Sequence, residues 1–176
     1  NRIKPFLIVD EKEQTEKTGT SRFVNKLEIR NLNFAYPDGK MILDDISLTA
    51  KKGQIIGITG PVACGKSTFG KAFLCEYPYE GEILADGVEL QNMTPSERTA
   101  VIGYLGHDPE LFNDSIENNI LMGEHKNADD FLRLVCMENE VAEMPEGKKT
   151  LVGNIGVRLS GGQAKRLALA RTLCHK

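Results

Sequence analysis

Gly60-Pro61-Val62-Ala63-Cys64-Gly65-Lys66-Ser67, followed by Thr68, is the stretch that decides how this chain is read. It has the form G-x-x-x-x-G-K-[ST], in which two glycines bracket a tight turn and a lysine and a hydroxyl open a helix. Before it, Gln54-Ile-Ile-Gly-Ile-Thr59 is a short continuous apolar run that ends at Gly60, the pattern of a buried parallel strand. After it, Phe69, Ala72 and Phe73 recur at helical spacing. A strand, a glycine-bracketed loop and a helix in that order form a cradle for phosphate. Backbone N–H groups converge on an anion only where the chain turns tightly, which Gly60 and Gly65 permit. In that pattern Lys66 reaches the β- and γ-phosphates of a nucleoside triphosphate, the Ser67 hydroxyl is the Mg²⁺ ligand and Thr68 is placed for the α-phosphate. Pro61, Val62, Ala63 and Cys64 fill the variable loop positions, and the Cys64 thiol lies close to the start of the helix.

Around this loop the chain has the composition of an ordinary globular protein. Hydrophobic residues make up 40% and charged residues 27% of 176, enough for one domain with a real core and too apolar for a disordered chain. The net charge of −3 supplies no global basic field, so nucleic acid is not an expected partner. Apolar runs such as Leu7-Ile8-Val9 fall far short of the ~20 residues that a spanning helix requires. No signal-peptide pattern opens the chain, which places this piece in an aqueous compartment. The four cysteines, Cys64, Cys75, Cys136 and Cys174, show neither C-x-x-C nor metal-ligand spacing and are expected as free thiols.

Residues 1–25 read as a linker: an apolar and basic start around Pro5, then a polar, charged spacer. Lys26 to Ala50 alternates about Pro37-Asp38-Gly39, as an antiparallel hairpin does, and a second hairpin is expected around Asp86-Gly87. Thr94-Pro95-Ser96-Glu97 is a capping box for a short helix, and Val101-Ile-Gly-Tyr-Leu105 reads as another buried strand. Asp114 and Glu117 open a region, 115–176, that is mostly helical.

A second stretch, Leu159-Ser160-Gly161-Gly162-Gln163, has its own physical content. Ser160 and Gln163 stand at capping-box spacing, so a helix starts here with its N–H groups exposed beside two glycines. That is another anion site, and a plain helix cap does not need both glycines. One loop already serves the chain's own phosphates, so this helix end needs a different nucleotide.

With both stretches in this order and spacing, the chain resembles the ATP-binding cassette (ABC) ATPases from about Lys26 to its last residue, in particular the transporter ATPase domains of exporter type. The resemblance implies an α/β fold: a P-loop NTPase (RecA-like) core, 26–114, with an antiparallel β subdomain, and a helical signature subdomain, 115–176. It also implies that residues 1–25 lead from a membrane domain, at the cytoplasmic face of the cell membrane. Tyr36 falls where the family stacks an aromatic ring on adenine. Ser160, Gly161, Gly162 and Gln163 would act in trans, on the γ-phosphate of ATP bound to an opposing subunit. The implied partners are a transmembrane domain and a second ABC ATPase domain, and the implied ligands are ATP and Mg²⁺.

Three departures qualify that resemblance. His107 stands where a glutamine that touches Mg²⁺ and the attacking water is expected, which makes His107 a candidate for both a catalytic and a metal-binding role, with Asp108 next in line. Gly153-Asn154-Ile155-Gly156 keeps the glycines of the exporters' Gly-Glu-Arg-Gly loop without its charges. The chain also ends at Lys176, before the Walker B carboxylates expected of the family, so the fold is expected to be incomplete at its C-terminus and the parent polypeptide to continue. The reading is an ATP-hydrolysing domain that powers transport and needs its missing segment for activity. Its rivals are a non-hydrolytic nucleotide-binding regulatory module, a degenerate half of an asymmetric transporter, and a soluble ABC ATPase acting on DNA or ribosomes. The short interval between the two motifs and the acidic balance oppose the last.

Overall fold

The computed structural model describes residues 24–37 and 39–176. The expected linker falls outside these residues up to position 23. Apolar side chains alternate through Lys26–Ala35 (β1), which pairs antiparallel with Met41–Lys51 (β2). β1 pairs on its other edge with Glu80–Ala85 (β3), and β3 pairs with Val88–Glu89 (β4), so the described residues form one antiparallel sheet of order β2-β1-β3-β4. The β3–β4 turn is the expected Asp86-Gly87, with φ of 49° and 82°. Two positive φ values match the twist of the strands they join. The Asp86 carboxylate accepts from the N–H groups of Asn25 and Lys26 at 2.9 and 2.8 Å and so also anchors the start of β1.

The alternation of β1 slips by one residue, yet Ile29, Leu32 and Phe34 are all buried. Register irregularities take up the slip, and Asn31 and Asp45 turn there with φ of 46° and 48°. The Asn31 Nδ2 group donates to Asp45 Oδ1 at 2.7 Å across the bulge. Gly81 faces it, and a Cβ there would lie 2.3 Å from the Asn31 carbonyl oxygen, so only glycine fits.

Helices follow where capping and periodicity place them: Lys66–Ala72 (α1), Pro95–Val101 (α2), Ile116–Leu121 (α3), Ala128–Leu134 (α4), Glu138–Ala142 (α5) and Gly161–Cys174 (α6). The capping box before α2 is complete, with Glu97 N donating to Thr94 Oγ1 at 3.3 Å and Thr94 N to Glu97 Oε2 at 2.8 Å. Two hydrophobic clusters result. Ile29, Leu32, Phe34, Leu43 and Ile83 of the sheet enclose one with Ala72 of α1, and Ile116, Ile120, Leu132, Met137, Val141 and Leu167 form the other among α3 to α6.

Two expected strands do not form. Residues 54–59 carry no ladder, and Ile55, Ile56 and Ile58 are 97%, 48% and 48% exposed. Val101 closes α2 instead of opening a strand, and Tyr104 and Leu105 beyond it are exposed. A parallel strand depends on backbone partners along its edges, and among the described residues no strand lies beside either stretch.

Candidate functional site

The phosphate-loop pattern folds as strand-free chain, loop and helix. Gly65 caps α1 with φ 95°, and a Cβ on it would lie 3.0 Å from Ile42 Cγ2 and 3.2 Å from Leu43 Cδ2, so the loop sits tightly against β2. Ala63 also takes a positive φ, 64°, which tightens the turn. Gly60 lies beside Cys64, whose Sγ would be 2.8 Å from an added Cβ. The Lys66 ammonium turns back into the loop. It donates to the carbonyl oxygens of Gly60 at 2.8 Å and Pro61 at 2.6 Å, and it lies 3.5 Å from Cys64 Sγ. Among the described residues this cation meets only neutral groups of its own loop. Thr68 is buried, Ser67 is exposed on the first turn of α1, and no side chain caps that turn.

Tyr36, at the end of β1, is half-buried in an aromatic corner. Its ring meets Phe34 edge-on at 5.0 Å between centroids and Tyr77 at 5.6 Å. Tyr77 was not singled out in the sequence. Its place beside Tyr36 depends on how the chain after α1 returns across β1, and no local pattern records that.

The signature stretch is built as expected. Gln163 N donates to Ser160 Oγ at 3.2 Å, and Ser160 N donates to Gln163 Oε1 at 2.9 Å. Gln163 Nε2 also donates to Glu140 Oε2 at 2.9 Å, and Arg166 pairs with Glu140 at 2.7 Å. Hydrogen bonds from Gln163 first and Arg166 second hold the Glu140 carboxyl below its ordinary pKa. An added Cβ would meet nothing within 4 Å at Gly161 and only Ser160 Oγ, at 4.0 Å, at Gly162. The packing of this chain therefore requires neither glycine. Among the described residues no hydrogen bond or ion pair joins this cap to the phosphate loop, and Leu159 packs on the helical cluster while Phe69 packs on the sheet cluster.

His107 stands in an exposed loop, its Nδ1 3.0 Å from Asp108 Oδ1, with side chains 84% and 89% exposed. No group of three metal-ligating side chains gathers among the described residues. The glycines of Gly153-Asn154-Ile155-Gly156 serve internal packing. A Cβ on Gly153 would lie 2.5 Å from Asn113 Oδ1 and one on Gly156 2.2 Å from Leu151 O. Sequence reasoning also missed Asn119, fully buried on α3, and Arg171 on α6, which together hold the chain between 110 and 119.

Comparison with known proteins agrees with this architecture. Residues 43–176 match the family described as ABC transporter. The chain is 40% identical over 159 residues to the ATP-dependent lipid A-core flippase of Pseudomonas aeruginosa, covering 86% of this chain and 26% of that protein. It is 36% identical over 163 residues to multidrug resistance protein pgp-1 of Caenorhabditis elegans, covering 86% of this chain and 12% of that protein. The structure of a bacterial Atm1-family ABC exporter with ATP bound superposes with a TM-score of 0.78 at 32% identity, over 92% of this chain and 30% of that one. The chain thus spans about an eighth to a third of the proteins it matches. Among the described residues no helix is long and apolar enough to cross a membrane. On this fold, these two motifs and these relatives, the chain belongs to the ABC transporter family as an exporter-type ATPase domain of P-loop NTPase fold.

Proposed function

We propose that this chain binds MgATP at Gly60–Thr68 and, paired with a second ABC ATPase domain, hydrolyses it to drive transport through a membrane domain. The observation that carries this reading is the contrast between two sets of glycines. Gly65 is crowded by its own chain, whereas Gly161 and Gly162 face open space at the capped start of a 14-residue helix. Open glycines beside free helix N–H groups suit the close approach of an anion from outside the chain.

The loop fits a triphosphate. Lys66 already bridges two carbonyl oxygens of the loop, and phosphate oxygens are stronger partners for an ammonium than neutral carbonyls. The exposed Ser67 hydroxyl can supply one protein ligand to Mg²⁺, an ion that keeps waters and phosphate oxygens in most of its shell. When bound, Mg²⁺ supplies charge neutralisation on the transferring phosphoryl group. Tyr36 presents a ring for the base. The Ser160–Gln163 cap holds its N–H groups in fixed directions for the γ-phosphate of the opposing subunit's ATP, so that reorganisation at the reacting centre is small. His107 is the residue we assign beside the attacking water. The 176 residues by themselves are proposed to bind ATP without efficient turnover. We also propose that 26–114 and 115–176 act as separate subdomains, a division supported by the two hydrophobic clusters, and that the domain works at the cytoplasmic face of a membrane. The isolated His107–Asp108 pair favours a second reading, a degenerate site that binds ATP and regulates its partner.

Two variants of the full-length protein separate these roles. Lys66→Ala is expected to abolish binding of a fluorescent ATP analogue. Gly161→Asp is expected to keep that binding while turnover falls at least about a hundredfold, the scale of losing aligned donors at a reacting phosphate. Normal turnover in Gly161→Asp sinks the composite site, and a wild-type chain that binds ATP but never turns it over selects the regulatory reading.

A further inference from the structure

The loop that carries His107 is held to the signature helix by a device that neither motif contains. Asn119 on α3 is fully buried, and its Oδ1 accepts from Phe112 N at 2.9 Å and from the Arg171 guanidinium at 2.7 Å. Its Nδ2 donates to the carbonyl oxygens of Phe112 at 3.0 Å, Asp114 at 3.3 Å and Ser115 at 3.0 Å. Arg171, on the third turn of α6, also donates to the carbonyls of Asn119 at 2.8 Å and Glu110 at 3.0 Å, and its guanidinium lies 4.7 Å over the Phe112 ring. No carboxylate pairs with this half-buried cation among the described residues, and burial lowers its pKa. Among the described residues the guanidinium donates to Glu110 and Asn119. A charge desolvated against neutral amide oxygens and an aromatic ring is a weak stabiliser, because its desolvation offsets much of the gain, but it fixes geometry strongly. Gly153 and Asn154 complete the frame, since Asn154 N donates to Asn113 Oδ1 at 2.6 Å.

We propose that Arg171, through Asn119, is a positioning residue that locks the loop 107–113 to α6, so that the loop at the chain's own nucleotide and the cap for the partner's nucleotide move as one body. α6 is the shared member, with Ser160 capping its first turn and Arg171 three turns on along the same helix. A displacement of the loop at His107 is thereby transmitted to the orientation of Ser160, and the reverse, without contact between the two nucleotide sites. This inference rests on the reading of the α6 cap as half of a composite ATP site.

The test is steady-state ATP turnover by the full-length protein, with kcat normalised to ATP-analogue binding sites so that only folded chains are counted. The variants are Arg171→Lys, which keeps the charge and loses the fork, His107→Ala, the pair together, and Gly161→Asp. Arg171→Lys is expected to lower kcat about tenfold with KM within about twofold, the scale of a slightly misplaced loop at the reacting centre. His107→Ala is expected to lower kcat alone and to have little further effect in the Arg171→Lys background, because the loop is then already uncoupled. Independent multiplication of the two effects, an unchanged kcat in either single variant, or a rise in KM that accounts for the whole of the Arg171→Lys loss overturns the proposal. If Gly161→Asp also turns over normally, the composite site itself is wrong; if Gly161→Asp is inactive and Arg171→Lys is silent, only the coupling is.

Discussion

Gly65 and Gly161 are the same residue type at two helix starts and face opposite demands. Gly65 holds φ 95°, and a Cβ on it would run into Ile42 and Leu43. Gly65→Ala therefore meets both left-handed backbone strain and a steric conflict, and a loss of about 1–3 kcal/mol is expected in chemical denaturation, together with weaker ATP binding. At Gly161 an added methyl meets nothing, so Gly161→Ala is expected to change stability by less than about 0.5 kcal/mol. Equal destabilisation by the two variants would show that the openness of the signature glycines has been misread. At this scale the sequence was most informative where chemistry is local: the spacing of Gly60, Gly65, Lys66 and Ser67 was enough to find the loop. It said nothing of Tyr77, Asn119 or Arg171, because each takes its meaning from a neighbour far along the chain.

Among the elements, the capping boxes and the Asp86-Gly87 turn were legible because side chain and backbone meet within four residues. The runs Gln54–Thr59 and Val101–Leu105 were apolar enough for strands, but a ladder is a contract between distant segments, and no partner strand lies beside them among the described residues. α6 shows how local and distant forces join. Its cap is local, and its orientation is held by Glu140, which takes hydrogen bonds from both Gln163 and Arg166. The Glu140 pKa is lowered in the folded protein, so its contribution is fully present above the ordinary value of 4.5 and is lost as pH falls through the lower folded value. Glu140→Gln is accordingly expected to lower the melting temperature at neutral pH and to converge with the wild type as the pH drops below 4.5. A difference that persists undiminished into acid would mean that the carboxylate charge is not what holds the helix.

Taken whole, the chain places its two glycine-bearing motifs on two hydrophobic clusters, the phosphate-loop pattern against the sheet and the signature cap on the helices. That division accounts for the lack of a hydrogen bond between them among the described residues, and it fits the proposal that each is half of a site that a second chain completes. The family and its fold class were readable from the two motifs together, since their order admits few other architectures, whereas the linkage of loop to helix through Arg171 became visible only in three dimensions. The most direct test is to mix full-length Lys66→Ala chains with full-length Gly161→Asp chains, each inactive alone, and to measure ATP turnover of the mixture. In a mixed pair one composite site carries both lesions and the other carries none, so the account expects turnover to reappear with the fraction of mixed pairs. A mixture as inactive as its components, in pairs shown to contain both chains, would contradict it.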